Sequence, residues 1–278
     1  MSSNTAENVE IVYPDLPEIL MKVKDVKGDV NGVGRVIGED KELAKEVLAT
    51  INAPYFDLVR EIKSTEEAAR MLGINRVVNL TTGRLLRGTI FQGRQKILND
   101  LWATSVKIAV ISVLVAKETK LAASDEVYTA ALMHNSGMAL MTQQIESYAA
   151  SIKPAYFSEE HTIDEYEEAH FGMQHSSISA QLAMKWGLSG VIAKAIQNHH
   201  DATQIEKMVS SGTDEGETLL VLKVAEHITR LPGYLAQCVQ DFEWEKIKDP
   251  ILDELRLTEG MFKRFELTIK KKLAEIKS

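Results

Sequence analysis

Apolar residues recur at helical spacing through most of this 278-residue chain, and no run alternates apolar and polar residues between hairpin turns. Leu16, Ile19, Leu20 and Val23 fall on one helical face, as do Leu43, Val47, Leu48 and Ile51, because 3.6 residues per turn stacks i, i+3, i+4 and i+7. Ser64 with Glu67 and Thr162 with Glu165 have capping-box spacing, and Gly73 stands where a helix would stop. Val77, Val78, Leu85 and Leu86 predict a further helix over 74–86, with Gly83 its weak point. With no strand pattern to set against these, the predicted fold class is all-α.

The longest apolar stretch, 108–116, is too short to cross a bilayer by itself, which needs roughly 20 residues. It predicts a helix buried on nearly all sides, and no membrane insertion is expected. The segment 87–93, with Gly88 and Gly93, interrupts the helical pattern and is the expected junction between two lobes. The expected organisation is a flexible segment over 1–12, a first helical lobe over about 13–88, a second over about 93–240, and a C-terminal helical extension over 241–278. Leu267, Ile269, Leu273 and Ile276 predict an amphipathic last helix, docked or used for association. Gly32, Gly34 and Gly38 have the wrong spacing for a dinucleotide loop and no strand ahead of them, so they predict a helix made for close packing.

The net charge of −8 argues against a nonspecific grip on nucleic acid or anionic membrane, which requires surplus Lys and Arg. Lys270, Lys271 and Lys272 fit a solvated helix end, favoured by the negative dipole pole. Cys238 is the only cysteine and cannot form an internal disulfide; with no secretory pattern at the start, a cytoplasmic location is expected. Cys238 also lacks a local nucleophile signature, and no serine sits in a G-x-S-x-G elbow.

All seven histidines lie between residues 134 and 227. His134 follows an apolar helical run, His175 opens one, and His199 with His200 closes one, so these four can meet where helices end and begin. Imidazoles gathered there would suit a metal or a phosphate group. Adjacent helical residues point about 100° apart, so only one of His199 and His200 is expected to face a given pocket. His161 is expected in solvent; His170 and His227 are expected to be satisfied helix histidines. The segment Met133-His134-Asn135-Ser136 reads as a metal dipeptide whose acid has become an amide: Asn135 can coordinate through oxygen but brings no negative charge.

Taken in order, Leu16-Pro17-Glu18-Ile19, Ile51-Asn52-Ala53-Pro54-Tyr55-Phe56, residues 68–77, Leu101-Trp102, residues 131–137, residues 175–180, Trp186-Gly187-Leu188 and His199-His200-Asp201 resemble the HDOD family, the HD-related output domain of bacterial signalling proteins. The resemblance covers about 13–231 and implies a second lobe similar to a degenerate HD phosphohydrolase core. In catalytic HD proteins an early His, a His-Asp pair and a late Asp hold metal that activates water. On this chain the resemblance places those positions at Thr104, at His134-Asn135 and near Glu226. It therefore implies a non-catalytic regulatory module, without cofactor or metal, acting through a bacterial signalling protein or a small ligand and open to homo-oligomerisation. Two alternatives remain. One is a metal-dependent phosphohydrolase of a nucleotide or cyclic dinucleotide, with His134, His175, His199, His200 and Glu226 as substitute ligands. The other is a nucleotide sensor that binds phosphate without cleaving it.

Overall fold

A computed structural model describes residues 10–26, 28–93, 96–152, 154–155, 158–229 and 241–277. Cys238 and most of the expected N-terminal flexible segment lie outside them. The fold is all-helical, and no strand occurs among the described residues.

The first five helices, α1 (Glu18–Asp25), α2 (Val30–Glu39), α3 (Lys41–Ile51), α4 (Thr65–Leu72) and α5 (Ile74–Thr89), pack on one another, with a 3₁₀ turn at Pro54–Phe56. Each start has a local cause. Asp29, Asp40 and Ser64 accept from backbone N–H groups that the first turn leaves unpaired. At Ser64 the reciprocal half of the box is displaced, because Glu67 accepts from the N–H of Lys63 instead. The glycines of α2 serve close packing as expected: a Cβ on Gly34 would lie 2.4 Å from the Cα of Glu66, and the Thr65 hydroxyl donates to the Gly34 carbonyl at 2.7 Å. α5 runs through Thr89, beyond the start of the predicted break, so the irregular segment begins at Ile90. A single interior glycine, Gly88, costs a helix only about 1 kcal/mol, which neighbouring turns absorb.

The long helix α6 (Lys96–Thr119) is the axis of the remainder. By length and composition it could cross a bilayer, yet more than half of it is buried inside the fold, against α7 (Ser124–Met133), α14 (Asp214–Thr229) and α16 (Glu259–Lys277). Between α7 and α14 come α8 (Ser136–Gln144), α9 (Tyr148–Ser151), α10 (Ile163–Phe171), α11 (His175–Lys185), α12 (Gly190–Gln197) and α13 (Ala202–Val209). α10 begins with the full capping box of Thr162 and Glu165. α5 lies on α7, and Asn79 donates to the buried Asp125 at 3.1 Å, so one apolar core runs through both halves.

After the undescribed 230–240 comes α15 (Phe242–Glu254), which carries Pro250 within it. Trp244, Ile247 and Ile251 are buried, and Trp244 stacks on His227 of α14 at 4.1 Å. α16 is the predicted last helix. It docks on α6 through a buried Ile269, while Leu267 faces solvent.

Candidate functional site: a closed histidine cluster

The chain brings four of its histidines together. His134 caps the C-terminus of α7, His175 opens α11, and His199 and His200 follow the last turn of α12. The ring centroids of His199 lie 5.3 Å from His134, 5.3 Å from His175 and 4.0 Å from His200. The expectation that only one of His199 and His200 could face the pocket is corrected. α12 ends at Gln197, so the pair sits in a turn where the 100° helical rotation no longer holds. His134, His175 and His199 are 0% exposed and His200 is 6% exposed.

Each ring is oriented through Nδ1. In His134 and His199 this atom meets the backbone carbonyls of Ala131 (2.7 Å) and Ile196 (2.5 Å), and in His175 it meets the Glu167 carboxylate (2.8 Å). A nitrogen facing a carbonyl must carry the proton, so Nδ1 is the donor in His134 and His199. The Nε2 atoms of His175 and His199 are buried without a hydrogen-bond partner, whereas His134 Nε2 faces Glu226. Burial pushes the His199 pKa well down, and the neighbouring His200, His175 and His134 push it further.

Around the imidazoles lies a shell of charged groups, of which the sequence reading had named Glu226 alone. Glu167 of α10, fully buried, accepts from the His175 N–H (2.7 Å), from His175 Nδ1 and from the Tyr148 hydroxyl (2.5 Å). Burial works to raise its pKa, but His175 together with these donors holds it below the usual carboxylate range. Asp164 stands 3.4 Å from His175 Nδ1 and accepts from the Ser176 hydroxyl. On the other side Glu226 of α14 lies 3.2 Å from His134 Nε2, and Lys223, one turn earlier, reaches Glu226 at 2.6 Å and Glu243 of α15 at 3.0 Å. Glu243 in turn pairs with His200 at 2.9 Å. A lone Lys inside the apolar run Leu219-Leu220-Val221-Leu222-Lys223-Val224-Ala225 was the available signal for this group.

The His200–Glu243 pair makes stability depend on pH. Burial would lower the His200 pKa, but Glu243 overrides it and raises the value from 6.5 to about 9. The contribution is complete below about pH 6.5 and is lost as pH rises through about 9. Melting temperature is expected to fall between pH 7 and pH 10 in the native chain and to fall less in His200→Gln; parallel curves would refute this.

Three sets of side chains offer ligand atoms within 4.8 Å of one another: His175, His199 and His200; His134, His199 and Glu226; and Asp164, Glu167 and His175. The hydrolytic metal set of the HD resemblance does not fit. The Thr104 hydroxyl is spent on the Asp100 carbonyl of its own helix at 2.8 Å, Asn135 begins α8 with no negative charge to offer, and Glu226 is already engaged by an ammonium. His161 is solvent-exposed, His170 meets the Tyr166 carbonyl, and His227 pairs with Asp241 at 2.8 Å; none of these three joins the cluster.

Fold and site together define an all-helical domain with a buried histidine cluster. The HDOD domain model matches residues 14–202, and the chain belongs to the HDOD family. A protein of uncharacterised function from Treponema pallidum (strain Nichols) is 23% identical over 214 residues, 72% of this chain and 40% of the relative, so this chain spans less than half the length of that protein. An HDOD domain protein of unknown function from Geobacter sulfurreducens superposes with a TM-score of 0.66 at 21% identity, covering 95% of this chain and 91% of the other. A protein from Shewanella amazonensis SB2B, described as a proposed phosphohydrolase, gives 0.60 at 20% identity, covering 94% and 95%. At these identities the structural likeness is one of fold. The matched family segment ends before Lys223, Glu226 and Glu243.

Proposed function

We propose that this chain is a non-catalytic regulatory module of bacterial signal transduction, working in the cytoplasm through a protein partner or a small ligand. The observation that carries this reading is the closure of the histidine cluster. Catalytic metal sites keep one position open to water and substrate, whereas structural sites are closed. Here three imidazoles are fully buried, and the positions taken by the early His and the pair's Asp in a hydrolytic set are held by Thr104 and Asn135. The acidic balance supports a protein or small-molecule partner over nucleic acid, and a second copy of the chain is one such partner.

The second reading, a metal-dependent phosphohydrolase, is favoured by one observation: His134, His199 and Glu226 offer ligand atoms within 4.8 Å of one another, as do His175, His199 and His200. One assay separates the two. With Mg²⁺, Mn²⁺, Fe²⁺ or Zn²⁺ supplied, the full chain is expected to leave phosphodiesters and cyclic dinucleotides uncleaved. Turnover that disappears in both His134→Ala and His199→Ala would establish the enzyme instead.

A further inference from the structure

Lys223 is 4% exposed on a helix whose neighbouring positions 219–222, 224 and 225 are wholly buried and apolar. A lysine in such a place is costly unless its charge is matched, and here two carboxylates match it, Glu226 at 2.6 Å and Glu243 at 3.0 Å. Each carboxylate also holds an imidazole, so the groups form a ladder: His134, Glu226, Lys223, Glu243, His200. Without the ammonium, the carboxylates of Glu226 and Glu243 would face each other across the place it holds, and oxygen donors of that kind suit a dication such as Mn²⁺.

We propose that Lys223 is the built-in cation of this site: its ammonium holds the place on Glu226 and Glu243 that a divalent ion would need, and so fastens the C-terminal helix α15 to the histidine cluster. The disagreement with a hydrolytic metal set is then more than a loss of ligands. A side chain has taken over the cation's electrostatic role, and the partner it recruits, Glu243, lies beyond the segment matched to the family. The start of α15 is aligned for this by Asp241, which accepts from the Trp244 N–H at 3.0 Å and from His227 Nδ1 at 2.8 Å. Burial opposes the charge on Lys223, yet Glu226 and Glu243 together hold its pKa above the ordinary value, so the ammonium persists.

The test is Mn²⁺ binding to the full chain and to Lys223→Met, read by the electron paramagnetic resonance of free Mn²⁺ and by thermal melting. Lys223→Met leaves the two acids short of one positive charge. It is expected to bind one Mn²⁺ per chain roughly a hundredfold tighter than the native protein, about 2.7 kcal/mol, since a new cation takes the place of the lost ammonium between the two acids. The bound ion should raise the melting temperature until chelator is added, and Glu226→Gln in the same background should abolish it. Equal affinity in native and Lys223→Met protein, or a folded Lys223→Met that takes no Mn²⁺, overturns the proposal. Should Lys223→Met fail to fold, the charge-balanced Lys223→Met/Glu243→Gln chain is expected to fold again; if it does not, the role of Lys223 is not its charge. These outcomes are independent of phosphodiester turnover, so this inference and the regulatory reading fail separately.

Discussion

Gly137→Ala is expected to destabilise the protein by about 3 kcal/mol or more, at the upper end of what overpacking costs. A Cβ at this position would lie 2.2 Å from the carbonyl oxygen of His175 and 2.9 Å from its Cα. Those are backbone atoms of the first residue of α11, so no side-chain rotation relieves the clash, and α8 and α11 must separate. Separation also breaks the 2.7 Å hydrogen bond from the Gly137 N–H to the Ser179 hydroxyl. Because His175 is the residue displaced, the cluster should loosen as well. Urea unfolding measures the stability, and imidazole resonances measure the displacement. Gly88→Ala is the control: nothing lies within 4 Å of its Cβ, and a helix-interior alanine should stabilise by about 0.5–1 kcal/mol. A Gly137→Ala chain as stable as the native one would show that the helices are not in this contact.

Glu167→Ala should cost about 3–5 kcal/mol, the range for removing one member of a buried charged pair. Three buried donors lose their acceptor at once: the Tyr148 hydroxyl, the His175 N–H and His175 Nδ1. A cavity at a fully buried position adds to that loss. The effect should also reach the site in a way that simple loosening does not. Glu167 selects the Nδ1–H form of His175, so its removal should change the tautomer reported by two-bond ¹H–¹⁵N correlation of the ring. An unchanged His175 tautomer together with near-native stability would refute the role assigned to Glu167.

Much of the fold was legible because helical periodicity is local. The faces carrying Leu43, Val47 and Ile51, the capping box at Thr162 and Glu165, and the small residues of α2 all depend on residues within one or two turns. What failed was also local in cause: the reading of His199-His200 assumed a helix that ends two residues too soon. The four histidines were legible as candidates because they fall at helix ends, and the two altered positions, Thr104 and Asn135, because the resemblance gave them a place in an ordered pattern.

Apart from Glu226, the carboxylate shell was not legible. Glu167 lies in an acidic stretch, Asp164-Glu165-Tyr166-Glu167-Glu168, in which nothing distinguishes the two buried carboxylates, Asp164 and Glu167, from their exposed neighbours. Glu243 meets His200 across 43 positions, and Lys223 meets Glu243 across 20. The sequence by itself determined a helical chain with a broken His-Asp dipeptide, because residue type and spacing along one helix are enough for both. Only the tertiary structure decided that the imidazoles close on one another and that a lysine supplies their cation. Burial and pairing depend on how helices cross, and a charge is tolerable inside a protein only where a distant segment brings its opposite.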